Sequence, residues 1–404
     1  MSAAARPEAG GSAHAALRRD DRGRFVDAQG RVDLKSLTRE AFVRFFVEDL
    51  GETAARALRA YKALWQEGAR SIDEMTTVAR ATRERLKQVA YVYALEPELV
   101  LRSDDGTLKY LWKLEDGHAV ESVLIPDGDR LTLCMSSQVG CAMACAFCLT
   151  GDLGLKRHLR PSEIACQPLQ VGRQLPDGVR ITNLVLMGMG EPLHNLDNLV
   201  DALTIALDDH ALNLSHRKVT VSTVGLVPQM AELARRLPVN LAVSVNASNE
   251  AQRLAIMPIT KKHSLEALIE ACRQFPLPSG KRITFEYVMF DGFNDTDEDA
   301  QRLMDLLAGI PTKVNLIPYN PNPDRDLQPP PFARVKAFQH YLVSRGVNCS
   351  IRTTRGQDIS AACGQLGKAW AQANAGGWLE DARRIAGYGT ASGGALAADP
   401  ASAS

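Results

Sequence analysis

The chain has 404 residues, 45% of them hydrophobic, and its acidic and basic residues balance to a formal net charge of zero. This length and composition suit a folded protein of two or three domains, without the excess of basic residues that marks many nucleic-acid binders. No stretch has the length and hydrophobicity of a membrane span or a secretory signal, so we expect a cytoplasmic protein that does not bind membranes.

The N-terminal part of the chain predicts three segments. Residues 1–33 are rich in Ala, Gly, Arg and Asp without periodicity, and we expect them to be disordered. Between residues 34 and 98, apolar side chains such as Phe42 and Phe46 recur at helical spacing, which predicts a small helical domain. Residues 99–126 alternate around Asp-Asp-Gly and Glu-Asp-Gly, which predicts a β-hairpin linker.

Strands and helices alternate through residues 127–375, the predicted core. The predicted strands are 130–136, 182–188, 218–224, 239–245, 282–289, 313–318 and 349–354. The predicted helices are 161–174, 197–208, 228–237, 264–274, 297–308 and 333–345. This alternation predicts an α/β fold with a parallel sheet, and six or seven units favour a partial (βα) barrel over a closed eight-fold one. Residues 376–404 are rich in Ala, Gly and Ser and are expected to form a flexible tail.

Residues of chemical interest follow the predicted strands, at the face of a barrel that carries the active site. They are the segment 141–148, Gly190, Glu191, Ser222, Asn246, Asn320 and Cys363.

Cys141, Cys145 and Cys148 have the spacing C-x3-C-x2-C, so that three thiolates can converge on one inorganic centre. Structural zinc usually takes four ligands in two separated pairs, and Cys134 lies in a predicted strand, too close to complete such a site. An iron–sulfur cluster held by three cysteines keeps one iron open to a cofactor. We interpret the motif as a [4Fe–4S] site, with zinc and a chance run of core cysteines as the alternatives.

The order of the motifs resembles a known family. C-x3-C-x2-C after the first strand of a partial barrel is the signature of radical S-adenosylmethionine (SAM) enzymes. The segments 138–141, 187–193 and 358–366 are similar to the RlmN-type rRNA adenine-C2 methyltransferases, and the similarity extends over about residues 37–366. The resemblance implies one [4Fe–4S] cluster, two SAM molecules per turnover, and an accessory RNA-binding role for the helical domain.

The resemblance also implies a set of SAM contacts. Gly190 and Glu191 match the family's Gly-Glu-Pro turn, in which the glutamate accepts the SAM amino group. The other implied contacts are Ser222, Ser244, Val245, Asn246 and Asn320. Asn246 stands where the family usually has histidine, and it keeps a donor and an acceptor but cannot be charged near neutral pH. We therefore expect Asn246 to contact SAM without transferring protons.

Three residues carry the implied chemistry. Cys363 takes a methyl group from one SAM, and the radical from a second SAM removes a hydrogen atom from that methyl, whose carbon then adds to adenine. A radical route is needed because an aromatic amidine carbon is not nucleophilic. Cys134, which shares a strand face with Thr132 and Ser136, releases the product by forming a transient disulfide bond with Cys363. Glu121 is the implied proton acceptor.

The implied partners are 23S rRNA, tRNA for some family members, and an electron donor such as flavodoxin. Local basic clusters are expected to hold phosphates around the barrel mouth; they are 156–160, 216–218, 261–263, and Arg352 with Arg355. The alternatives are adenine-C8 methylation, a protein-activating radical SAM enzyme and an iron–sulfur electron carrier. The pair Cys363 and Cys134 favours methylation, because activating enzymes and carriers need no methyl-accepting thiol.

Overall fold

The computed structural model describes residues 18–322 and 325–367, so the predicted tail at 376–404 and residues 1–17 lie outside the described part. The prediction of disorder is wrong for residues 18–33, which form strands β1 (Arg18–Arg19), β2 (Phe25–Val26) and β3 (Val32–Asp33). These strands pair in the order β1-β2-β3-β4, where β4 is Ala90–Tyr91.

Two copies of the pattern Asp-x-x-Gly-Arg order this segment. Asp20 accepts a hydrogen bond from Arg24 Nε at 2.7 Å, and Asp27 accepts the equivalent bond from Arg31 Nε at 2.8 Å. The glycine of each turn has a positive φ, which glycine adopts without the steric cost that a Cβ brings. The composition of residues 1–33 does not reveal these two turns.

The predicted helical domain is confirmed as three helices, α1 (Arg39–Glu48), α2 (Ala54–Trp65) and α3 (Arg80–Val89). Thr38 and Thr53 cap α1 and α2 by accepting hydrogen bonds from backbone N–H groups. The two helices pack through stacked and edge-on aromatic rings, among them Phe42, Phe46 and Tyr61.

The segment predicted as a hairpin linker is part of the main sheet. It forms three antiparallel strands, β5 (Glu96–Arg102), β6 (Leu108–Lys113) and β7 (Ala119–Asp127). Strand β7 pairs antiparallel with β8 (Arg130–Cys134), the first barrel strand. The hairpin therefore extends the barrel sheet and cannot move independently of it.

The barrel contains every strand and helix that the sequence predicts, with ends shifted by a few residues. After β8 come β9 (Gln138–Val139), β10 (Arg157–His158), β11 (Asn183–Leu186), β12 (Val219–Thr223), β13 (Asn240–Ser244), β14 (Ile283–Met289), β15 (Thr312–Pro318) and β16 (Cys349–Ile351). The helices are α4 (Leu149–Asp152), α5 (Pro161–Arg173), α6 (Leu196–Leu207), α7 (Val227–Arg236), α8 (Glu250–Ile256), α9 (Leu265–Gln274), α10 (Asp297–Leu307) and α11 (Phe332–Val343).

Seven of these strands, β8 and β11 to β16, are parallel neighbours in a ten-stranded sheet whose edges are β5 and β16. The barrel is thus open, as predicted. Within the described residues, no helix is both long enough and apolar enough to cross a bilayer.

A buried polar network fixes the N-terminal segment to the barrel. Asp33 accepts hydrogen bonds from Ser36 Oγ at 2.8 Å and from Ser162 Oγ at 2.6 Å, and the Arg160 guanidinium lies 3.7 Å from its carboxylate. All four side chains are buried, and buried polar groups hold a fixed geometry when their hydrogen bonds are satisfied.

Candidate active site

A cavity of about 840 Å³, its open mouth included, lies at the carboxyl ends of the parallel strands. The predicted site residues that line it are Cys141, Cys145, Cys148, Gly190, Glu191, Ser222, Ser244, Asn246 and Cys363. The four predicted residues outside its wall are Glu121, Cys134, Val245 and Asn320.

The three clustered cysteines lie on the loop between β9 and α4. Burial raises the pKa of the Cys141 thiol to about 12 and raises those of Cys145 and Cys148 as well. One of these cysteines is buried and two are half-buried, and three thiols that face one cavity need a positive centre before they can ionise together. This soft donor set fits a [4Fe–4S] cluster with one open iron. Structural zinc would need a fourth ligand from the same motif, but Cys134 lies outside the wall and the remaining cysteine of the wall, Cys363, belongs to a separate loop.

Gly190 and Glu191 form a tight turn beside this loop. Gly190 has φ of +100°, and a Cβ there would lie 2.5 Å from the Cβ of Gln138, so only glycine fits. The Glu191 carboxylate accepts hydrogen bonds from the N–H groups of Leu193 at 3.0 Å and Val224 at 2.9 Å. Burial raises its pKa to about 7, although these hydrogen bonds lower it. A buried carboxyl group of this kind is suited to pairing with an amino group.

Asn246 lines the cavity in a left-handed conformation with φ of +54°, which asparagine tolerates better than most residues. Its Oδ1 accepts a hydrogen bond from Val288 N–H at 2.9 Å, and its Nδ2 lies 3.4 Å from Met257 Sδ. The amide is therefore held in place by the protein. Val245 is buried in the core, and its N–H donates to Glu286 O at 3.1 Å, which places this residue behind the cavity wall.

Cys363 lies in a loop that follows β16 and is tied to the cluster loop. Leu149 N–H, one residue after Cys148, donates to Gly364 O at 2.8 Å. Asn320 Nδ2 donates to Cys363 O at 3.1 Å, and Asn320 Oδ1 accepts from Thr354 Oγ1 at 3.0 Å. Asn320 thus positions the Cys363 loop in this structure and does not itself line the cavity.

Cys134 ends β8 behind the cavity wall. It is buried, and burial raises the pKa of its thiol to about 12, with a further increase from Cys363 and a decrease from Arg352. The two cysteines are thus close enough for their charges to interact. All eight cysteines are free thiols, so the expected disulfide bond is not present in this state.

Glu121 on β7 is fully buried and faces the far end of the Cys363 loop. Its Oε1 accepts a hydrogen bond from Gly367 N–H at 3.2 Å, and its Oε2 lies 3.7 Å from Lys109 Nζ.

Sequence reasoning missed two charged residues of the cavity wall. Arg352 is half-buried, and its pKa is raised first by the charge of Cys363 and also by Glu286 and Cys134. Glu286 is buried on β14, accepts a hydrogen bond from Asn315 Nδ2 at 3.0 Å, and has a pKa raised by burial. A single acid within the apolar strand ITFEYVM was the signal that could have revealed it. We interpreted Arg352 from the sequence as an RNA contact only.

The predicted basic rim is wrong in part. Arg157 has a side chain only 15% exposed, and it donates to Asp116 and to both carboxylate oxygens of Glu163. Residues 216–218 precede β12 and therefore lie at the opposite end of the barrel. Lys156, Lys261 and Lys262 are exposed and remain available to a phosphate backbone.

Comparisons with known proteins agree with this geometry. The family model of the radical SAM superfamily matches residues 135–307, and that of the ribosomal RNA large subunit methyltransferase N-terminal domain matches residues 32–92. The chain is 51% identical over 341 residues to dual-specificity RNA methyltransferase RlmN 2 of Myxococcus xanthus, covering 83% of this chain and 90% of the relative. Identity to the RlmN of Pelobacter propionicus is 52% over 337 residues, covering 83% and 96%.

A solved structure shares the fold. The crystal structure of a radical SAM methyltransferase from Sphaerobacter thermophilus matches with a TM-score of 0.78 and 38% identity, covering 83% of this chain and 99% of that one.

Proposed function

The chain belongs to the dual-specificity RNA methyltransferase RlmN family of the radical SAM superfamily, and we propose that it methylates C2 of an adenine in 23S rRNA and in tRNA. It is a methyltransferase that uses a [4Fe–4S] cluster and two SAM molecules per turnover. The cytoplasm supplies both RNAs and an electron donor of the flavodoxin type. The observation that carries the proposal is Cys363, a cysteine outside the cluster motif that lines the same cavity as Cys141, Cys145 and Cys148.

The cavity wall divides into two functional parts. Cys141, Cys145 and Cys148 would hold the cluster, which with bound SAM supplies a 5′-deoxyadenosyl radical. The Glu191 carboxylate would accept the SAM amino group, and the backbone of Gly190 allows close approach because no Cβ intervenes. The amide of Asn246, fixed by Val288 N–H, adds a polar contact that does not titrate near neutral pH.

Another part of the wall carries the methyl acceptor. The Cys363 thiolate forms a bond to the SAM methyl carbon while the sulfonium–methyl bond breaks, which leaves two neutral thioethers. The Arg352 guanidinium lines the same wall and lies close enough to Cys363 for the charges of the two groups to interact. After methylation Cys363 carries no charge, and Glu286 remains as the carboxylate partner of Arg352. The methyl group then loses a hydrogen atom and adds to adenine C2.

Release of the RNA requires a second thiol. Cys134 lies behind the cavity wall, and its thiolate would attack the Cys363 sulfur, forming a disulfide bond as the sulfur–carbon bond to the RNA breaks, and the released carbon would take up a proton to become the methyl group. Before that step the unpaired electron left on the adenine ring would return to the cluster, and Glu121 would accept the C2 proton. To do so, its carboxylate exchanges the N–H of Gly367 for the substrate, which requires the end of the Cys363 loop to move.

Nucleoside mass analysis tests the proposed function. The reconstituted enzyme, with SAM and a reductant, should convert adenosine to 2-methyladenosine in a 23S rRNA fragment and in unmodified tRNA. Cys363→Ala should form none. The appearance of 8-methyladenosine would contradict the C2 assignment, and modified rRNA with unmodified tRNA would restrict the substrate to rRNA.

A further inference from the structure

The turn between β5 and β6 contacts the loop that carries Cys363. Asp105 Oδ2 accepts a hydrogen bond from Gly356 N–H at 2.9 Å. Ser103 Oγ donates to Asp358 Oδ1 at 2.6 Å, and the backbone N–H of Asp104 donates to Asp358 Oδ2 at 3.3 Å. Three consecutive residues of the turn thus hold the first half of the loop.

Strand β6 adds a fourth contact from the same side. The Lys109 ammonium, whose side chain is 4% exposed, donates to Ser360 O at 3.2 Å. Ser360 has φ of +52°, a conformation that costs a non-glycine residue about 1 kcal/mol and persists only where its surroundings impose it. The hairpin therefore helps to impose the backbone path that leads to Cys363.

The loop also packs against the hairpin too closely for an added side chain. Gly356 has φ of +62°, and a Cβ there would lie 2.8 Å from the Cβ of Ala361 and 3.0 Å from Cγ2 of Thr107. The second half of the loop is anchored on the barrel, where Gly364 O accepts from Leu149 N–H and Cys363 O accepts from Asn320 Nδ2. Cys363 thus lies between two sets of anchors, one on the hairpin and one on the barrel.

The Asp105 carboxylate is suited to hold the loop over a wide pH range. Burial raises the pKa of its carboxyl, but hydrogen bonds from Thr107, Gly356 and Ser103 outweigh burial and lower it to about 2. Asp105 therefore stays ionised at every pH at which the protein works, and its two oxygens accept from Thr107 N–H and Gly356 N–H at the same time.

We propose that the β5–β6 turn and Lys109 form a positioning clamp that holds the Cys363 sulfur where it reaches the SAM methyl group. The proposal rests on the proposed function, in which Cys363 is the methyl acceptor. Methyl displacement requires the reacting atoms to be aligned at about 3–3.5 Å, and a misplacement of about 1 Å lowers the rate by about 100-fold. Asp105 and Lys109 contact the loop and do not line the cavity, so they are positioning residues.

The test compares Asp105→Asn with the matched control Asp104→Asn. Asparagine at position 105 turns an NH₂ group towards one of two backbone N–H donors, so one anchor is lost. Asp104 contacts the loop through its backbone N–H, which the control variant keeps. Three quantities are measured on anaerobic holoenzyme: the rate of S-methylation at Cys363 by peptide mass spectrometry, 5′-deoxyadenosine formation without RNA, and the midpoint of thermal unfolding.

The clamp predicts that Asp105→Asn slows methylation of Cys363 by at least about tenfold, while SAM cleavage and thermal unfolding stay at the parent values. Asp104→Asn should match the parent in all three measurements. Ser103→Ala removes the bond to Asp358 and the bond from the Asp105 N–H but keeps the bond between Asp105 and Gly356. It should slow methylation less, and it serves as the test if Asp105→Asn does not fold.

Parent-like methylation in Asp105→Asn, or in Ser103→Ala where that variant is the test, would overturn the clamp. An equal decrease in methylation, SAM cleavage and thermal stability would also overturn it, since a merely structural role gives that pattern. Absence of S-methylcysteine at position 363 in the parent enzyme would contradict the proposed function itself, and the clamp with it.

Discussion

At the scale of single residues, burial and neighbouring charge separate the eight cysteines into different chemical roles. Cys166 and Cys272 are buried away from the cavity, where thiols behave as small apolar side chains. Cys134 is equally buried but interacts with Cys363 and Arg352. Its proposed role is to react only after Cys363 has been joined to RNA, which requires it to be unreactive before that step.

The reactivity of Cys134 towards alkylating reagents tests this role. Burial raises the pKa of its thiol to about 12, so the thiolate is rare at neutral pH and increases about tenfold per pH unit as the pH rises towards that value. In anaerobic holoenzyme at pH 7.5, iodoacetamide should label the half-buried Cys363 while Cys134 stays unmodified. Peptide mapping over pH 7 to 10 measures both. Rapid labelling of Cys134 at pH 7.5 would contradict its placement behind the wall.

The cluster cysteines can be tested by a single substitution. Cys145→Ala removes one of three thiol ligands, so most of the broad iron–sulfur absorbance of the anaerobically reconstituted protein should disappear. Cys349→Ala, on β16 outside the cavity, is the matched control and should keep the absorbance. Zinc in stoichiometric amount, with no iron, would contradict the assignment of the cluster.

At the scale of elements, periodicity was sufficient to predict the barrel, because each parallel strand is an apolar run and each helix repeats at its own spacing. It could not predict β1, β2 and β3, whose two-residue strands depend on turn hydrogen bonds by Asp20 and Asp27. Periodicity also does not show that β7 pairs with β8, because the partner of a strand depends on contacts outside that strand. The sequence therefore predicts a linker where the structure has a hairpin that packs against the Cys363 loop.

Clusters of basic residues are likewise insufficient to predict which side chains contact RNA. A run such as Lys156, Arg157 and His158 does not reveal which side chains the fold has already paired. In the structure, Arg157 joins β10 to Glu163 on α5 and to Asp116 in the turn after β6, whereas Lys261 remains exposed. The two cations therefore have different roles although both belong to predicted basic clusters.

Two variants separate these roles. Lys261→Gln should weaken RNA binding and reduce its dependence on salt by about one counterion, without a change in stability. Arg157→Gln should instead destabilise the fold by about 3 kcal/mol, because it removes the guanidinium that joins Asp116 to Glu163 and leaves Arg160 as the cation beside Glu163. Filter binding at several salt concentrations and thermal unfolding measure both effects. Loss of RNA affinity in Arg157→Gln at unchanged stability would contradict the structural role.

At the scale of the whole molecule, the ends of the parallel strands, the cluster loop and the Cys363 loop line one cavity. Ser244 is the last residue of β13, and Glu191 and Asn246 follow the ends of β11 and β13. The sequence predicts all three at the cavity, because the carboxyl ends of parallel strands lie at one face of a barrel. The roles of Asn320 and Arg352 could not be predicted in the same way. Both depend on the path of the Cys363 loop, which is set by contacts with the hairpin and the cluster loop.

In the proposed mechanism, Cys363 transfers the methyl carbon to RNA and Cys134 releases the RNA from Cys363. Cys134→Ala leaves Cys363, the cluster cysteines and the cavity wall in place, so the carbon bond to adenine should form but not break. The measurement is denaturing electrophoresis of holoenzyme incubated with SAM, a reductant and RNA, with the double variant Cys134→Ala and Cys363→Ala as the control.

A covalent protein–RNA species is expected with Cys134→Ala and none with the double variant, which has no methyl acceptor. If Cys134→Ala, with its cluster intact, formed no such species and released methylated RNA at the parent rate, the two-cysteine mechanism would be contradicted.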